Sequence, residues 1–186
     1  LSLAATLGRI GVDTLVIDRL ERVGDCWRTR YHSLALHNST EVNHLPYMPF
    51  PVSWPRYLPK DMLADWFEAY AWAMEINFWT STELVGGSYD ESQGRWNVTV
   101  RNNKGGMERT LHPNHLVFAS GLVGFPHKPD LPGLKDFRGA VIHTADFTNG
   151  AEWRGKKALV IGTGTSGHDV AQDLHANGCE TTIVQR

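Results

Sequence analysis

Ala158-Leu159-Val160-Ile161 runs directly into Gly162-Thr163-Gly164-Thr165-Ser166-Gly167, and the residues after it are apolar at helical spacing. This is G-x-G-x-x-G between a strand and a helix. The three glycines serve different ends, because the first makes a tight turn, the second lets backbone approach a pyrophosphate, and the third lets the helix pack on the strand. The helix start then offers unpaired N–H groups and partial positive charge to the phosphates. Residues 156–186 therefore read as a β-turn-α-β dinucleotide unit, with Gly162, Thr163, Gly164, Thr165, Ser166 and Gly167 at the phosphates.

Residues 1–19 align on residues 168–186 without a gap. Ala4 meets Ala171, Leu7 meets Leu174, Gly11 meets Gly178, Thr14 meets Thr181 and Arg19 meets Arg186. Both windows run helix, glycine, apolar strand, which predicts a second dinucleotide unit at the start of the chain. The third glycine of that copy would fall just before Leu1, so the chain reads as an internal piece beginning mid-motif. Asp18 closes the strand of the first copy, where a carboxylate accepts hydrogen bonds from an adenosine ribose, and Arg19 follows it. The equivalent position in the second copy is Gln185, followed by Arg186. A neutral residue avoids repelling a 2′-phosphate and a guanidinium can grip one, so the second site leans to NADP.

Between the copies the hydrophobic period changes. Leu63, Trp66, Phe67, Tyr70 and Met74 share one face of a helix expected over 61–74, with Asp61 as its N-cap. Residues 83–119 alternate with period two, predicting an antiparallel meander with strands at 83–89, 95–101, 107–111 and 115–118 and a turn at 102–106. A Pro- and Gly-rich connection follows over 123–155. Apolar and charged fractions of 41% and 20% are those of a globular domain. A net charge of -2 gives no reason to expect a nucleic-acid partner. No apolar run has the length of a membrane span. The cysteines, Cys26 and Cys179, form neither a disulfide framework nor a C-x-x-C redox pair, which points to a reducing, cytoplasmic setting and away from a dithiol reductase. Cys26, His32, His37 and His44 match no zinc spacing.

Phe137, Gly139, His143 and Phe147 occupy every fixed position of F-x-G-x-x-x-H-x-x-x-[FYW], just upstream of the glycine loop. By this signature the chain resembles the group B flavoprotein monooxygenases, which include flavin-containing, YUCCA-type and Baeyer–Villiger enzymes. Gly24-Asp25-Cys26-Trp27-Arg28, the stretch from Tyr31 to His37 with residues 45–51, and Phe118-Ala119-Ser120-Gly121 are similar to further segments of the family. The resemblance covers essentially the whole chain.

It implies an α/β fold: a Rossmann-like FAD-binding domain (1–122) carrying an antiparallel β-meander, a connection (123–155), and the start of a Rossmann-like NADP-binding domain (156–186). It places Cys26, Trp27, Arg28, His37, Ala119 and Gly121 with Asp18 and Arg19 around FAD, and Arg186 with the glycine loop around NADPH. Asn38 becomes the candidate active-site residue near the flavin, and His143 a structural link. The implied reaction has NADPH reduce FAD, the reduced flavin capture O2 as a C4a-(hydro)peroxide, and one oxygen atom pass to a small organic substrate by N/S oxygenation or oxidative decarboxylation. The other reading is a catalytically inactive relative that at most binds nucleotides.

Overall fold

Leu63, Trp66, Phe67 and Tyr70 recur at i, i+3, i+4 and i+7, and in the computed structural model, which describes residues 1–121 and 126–185, they form the inner face of a helix. The chain folds as two units, residues Leu1–Thr29 with Leu36–Ala119 and residues Arg30–Ala35 with Ser120–Arg186.

The first unit opens with α1 (Ser2–Arg9), β1 (Val16–Ile17) and a short α2 (Asp25–Arg28). Then follow α3 (Lys60–Ala73), β2 (Phe78–Trp79), β3 (Thr82–Asp90), β4 (Arg95–Asn102) and β5 (Glu108–Leu111). β1 pairs in parallel with β2, and β3-β4-β5 form the antiparallel meander. The core gathers Ala4, Ala5, Phe50, Leu58, Leu63, Trp66, Tyr70 and Ile76. Within it Phe50 meets the Trp66 ring at 4.5 Å and Trp66 meets Tyr70 at 5.3 Å, contacts that add to simple area burial.

Three expectations for this unit are corrected. α3 begins at Lys60 behind Pro59, and Asp61 is not its cap. The Asp61 carboxylate instead accepts at 2.7 Å from Lys60 Nζ, whose other bond reaches the carbonyl of Arg28. The expected strand at 115–118 is absent: no edge among the described residues pairs with it, and Val117 and Phe118 are exposed. Strand β5 starts at Glu108, one residue later than expected.

The second unit contains β6 (Lys157–Ile161), α4 (Thr165–Ala176) and β7 (Glu180–Val184), with β6 and β7 parallel. The internal repeat is visible in its geometry. Gly11 after α1 has φ +76 and Gly178 after α4 has φ +87, so both helices end on the left-handed glycine that releases the chain into a strand. The 3-10 turn Gly150–Trp153 packs on α4; Gly150 donates to Asp173 Oδ2 at 2.7 Å, and the buried Cys179 thiol donates to the Trp153 carbonyl at 2.8 Å. Among the described residues no helix is long and apolar enough to cross a membrane.

Candidate functional site

The loop between β6 and α4 gives each glycine a different environment. Gly162 has φ +109, a conformation that L side chains rarely adopt, so the tight turn needs it. A β-carbon on Gly167 would stand 2.5 Å from the Gly162 carbonyl oxygen, so helix and strand could not close. Gly164, the N-cap of α4, has an ordinary φ of -69, and a β-carbon there would meet nothing within 4 Å. A glycine that neither the backbone angle nor the packing requires leaves room for an outside group. No side chain caps α4, so the first-turn amides of Thr165, Ser166 and Gly167 are offered to that space. The donor set fits a pyrophosphate. Arg186 lies outside the described residues, and Gln185 before it is exposed.

In the first unit a recess of about 380 Å³ is lined by Trp27, Leu36, His37, Asn38, Asn43, Leu63 and Phe67. Three expected residues, Trp27, His37 and Asn38, thus converge. The indole and phenyl rings with Leu36 and Leu63 supply apolar wall, while the imidazole and two carboxamides supply donors and acceptors, a lining that suits a flat heteroaromatic ring with polar edges. Asn43 Nδ2 donates to the Asn38 carbonyl at 3.0 Å and to the Ser39 carbonyl at 2.9 Å, which fixes the backbone carrying Asn38. Sequence reasoning missed Asn43, Leu63 and Phe67. The last two belong to the helical stripe, which reads as core because periodicity does not tell a core wall from a pocket wall.

The remaining expected residues are spread out. Asp18 and Arg19 stand exposed at the end of β1 and do not line the recess. One Asp18 oxygen accepts the Leu20 amide at 2.9 Å, which holds the carboxylate in place and leaves its other oxygen for a ligand hydroxyl. Cys26 is an exposed thiol. Arg28 is turned into the protein: its guanidinium donates to the Val23 carbonyl and to Asp25, Asp65 and Glu68 at 2.8 to 3.2 Å. Its side chain clamps α2 onto α3. Gly24, with φ +92 and a β-carbon position 2.4 Å from the Ala64 carbonyl oxygen, makes the same close approach possible. Arg22 forks onto Glu68, holding that carboxyl below its usual range. Ala119 and Gly121 are exposed, and Gly121 has φ +82.

Two of the signature residues, His143 and Phe147, make contacts within the fold. His143 Nδ1 accepts the amide of Ala145 at 3.1 Å and its carbonyl accepts the amide of Asp146, so His143 forms a turn. Asp146 pairs with Lys128 at 3.0 Å, which depresses its pKa. Phe147, which ends the signature, is buried against Tyr31 with ring centroids 6.4 Å apart.

These features agree with the likeness to known proteins. The indole-3-pyruvate monooxygenase YUCCA1 of Oryza sativa subsp. japonica is 35% identical over all of this chain, which spans 45% of that relative's length. A flavin monooxygenase from Stenotrophomonas maltophilia superposes with a TM-score of 0.89 at 23% identity, over 100% of this chain and 54% of its own. A complex of OTEMO with FAD and NADP superposes with a TM-score of 0.78 at 22% identity, over 100% and 36%. The family described as FMO-like, flavin-binding monooxygenase-like, matches residues 18–186, nearly all of the chain, and the chain belongs to this family of flavin-dependent monooxygenases.

Proposed function

We propose that the chain is part of an FAD- and NADPH-dependent monooxygenase that passes one oxygen atom of O2 to a small organic 2-oxo acid, with oxidative decarboxylation as the reaction. The observation that carries this reading is the recess of Trp27, His37 and Asn38, whose lining suits a flavin ring, in a member of a flavin-binding family. The substrate class follows the relatives, which are named indole-3-pyruvate monooxygenase or probable indole-3-pyruvate monooxygenase. FAD supplies the redox chemistry and the activation of oxygen.

The residues of the chain bind and orient. Trp27 and Phe67 flank the ring, and Asn38, with its backbone held by Asn43, presents its carboxamide to the polar edge of the flavin or to the nicotinamide amide. Asp18 takes the adenosine ribose of FAD with Arg19 beside it, and Cys26, Ala119 and Gly121 contribute backbone along that cofactor. The glycine loop holds the pyrophosphate of NADPH, and Arg186 pairs with its 2′-phosphate where Gln185 adds no negative charge. An exposed Cys26 thiol suits a reducing, cytoplasmic compartment.

Purified full-length protein tests the proposal. It is expected to show flavin absorption, to oxidise NADPH faster when indole-3-pyruvate is added, and to release CO2 in step. A colourless protein inert to NADPH sinks the enzyme reading and leaves a nucleotide-binding relative. A yellow, NADPH-oxidising protein that releases no CO2 from aryl 2-oxo acids sinks the substrate class alone.

A further inference from the structure

Tyr31 precedes the recess residues Leu36, His37 and Asn38 closely in sequence, yet it belongs to the second unit with α4. It is 5% exposed and packs on Phe147, and the His32 amide beside it donates to the Thr148 carbonyl at 2.8 Å. Its hydroxyl donates to Asp169 Oδ2 at 2.8 Å, and the Ser166 side chain lies close to the same phenol. Ser166 and Asp169 are three residues apart on one face of α4, so Tyr31 bridges the first and second turns of the helix whose start forms the glycine loop.

Asp169 lies four residues beyond Thr165, about 6 Å along the helix axis. A carboxylate there is poorly placed beside an anion site, because like charges at such a range repel appreciably where water is partly excluded.

We propose that Tyr31 is a positioning residue for the second dinucleotide site: its hydroxyl turns the Asp169 carboxylate onto itself and away from the phosphates. The inference rests on the reading of Gly162–Gly167 as an NADPH pyrophosphate site. The phenol is suited to this role. Buried among Phe147, Asp169 and Ser166, it stays protonated and keeps donating, its pKa pushed up to about 12.

The test uses the full-length flavoprotein. Tyr31→Phe keeps the ring against Phe147 and removes only the hydroxyl. It is expected to raise the KM for NADPH about five- to tenfold, the scale of one lost charge-assisted hydrogen bond, with kcat at saturating NADPH and the flavin spectrum little changed. Asp169→Asn in the Tyr31→Phe background removes the charge and is expected to restore most of the affinity, a rescue that mere loss of packing does not predict. Asp169→Asn alone, which serves if Tyr31→Phe does not accumulate, is expected to leave the KM unchanged or lower. An unaltered KM in Tyr31→Phe, no rescue in the double variant, or a raised KM in Asp169→Asn overturns the proposal. A parent protein that does not bind NADPH at all fails earlier, at the site reading itself.

Discussion

A β-carbon added to Gly167 would lie 2.5 Å from the carbonyl oxygen of Gly162, whereas one added to Gly164, between them in the same loop, would touch nothing. The two alanine substitutions should therefore separate stability from binding. Gly167→Ala must push α4 off β6 and is expected to destabilise the protein by about 1–3 kcal/mol, the usual cost of overpacking. Gly164→Ala should leave the melting temperature within a degree or two and weaken NADPH binding at least tenfold, because its methyl occupies the phosphate space. Thermal melts beside NADP+ titrations check both. A Gly164→Ala protein that melts early but binds normally would remove the case for a phosphate site.

The Arg28 clamp makes a second prediction. Its side chain is only 16% exposed and serves three carboxylates and a carbonyl. Arg28→Met is expected to cost about 2–4 kcal/mol, because Asp25 and Glu68 lose their shared cation in a partly buried setting. Arg28→Lys should recover little of this, since an ammonium cannot fork between Asp65 and the Val23 carbonyl. Chemical denaturation gives the values. Stability equal to wild type in Arg28→Met would place the residue at the cofactor instead of in the frame.

Much of this architecture was legible because several levels of the sequence agreed. Gly11 and Gly178 align in the repeat and adopt the same left-handed turn, and the alternation in 95–101 became β4 almost residue for residue. What failed was decided by partners far away in sequence. Asp61 has the chemistry of a cap, but buried Lys60 recruits it, and that depends on the Arg28 carbonyl reaching Lys60 Nζ. Residues 115–118 have strand composition but no edge among the described residues to pair with, and strand propensity is realised only on a sheet. The ion pairs of Arg28 with Asp65 and Glu68 on α3 likewise span some forty residues and leave no mark on its neighbours in the chain. Asn43 carries no motif and becomes visible only when the loop closes on Asn38.

The Asn38–Asn43 contact yields a graded prediction. If Asn38 touches the flavin or the nicotinamide, Asn38→Ala should lower kcat/KM about 10- to 100-fold in the full-length enzyme, the range seen when one positioned polar contact to the reacting groups is removed. Asn43→Ala, which only releases the backbone that carries Asn38, should cost less, about three- to tenfold. The double variant should resemble Asn38→Ala alone, because both act through one group. Stopped-flow flavin reduction and product formation measure these effects; additive losses would mean that Asn43 contacts the ligand directly.

The buried phenol of Tyr31 also sets a pH dependence. Burial raises its pKa first, and the hydrogen bond to Asp169 and the negative charge of that carboxylate raise it further, to about 12, against slight opposition from Ser166 and Arg30. An unfolded tyrosine titrates near 10. Above pH 10 the unfolded chain therefore releases a proton that the folded one still holds, so the contribution of Tyr31 to stability is complete below pH 10 and is lost as pH rises towards 12. Unfolding free energies compared between wild type and Tyr31→Phe should converge across that window, the wild type losing its advantage as the pH climbs. Parallel curves from pH 9 to 12 would show that the phenol ionises equally readily in both states and that Asp169 does not hold its proton.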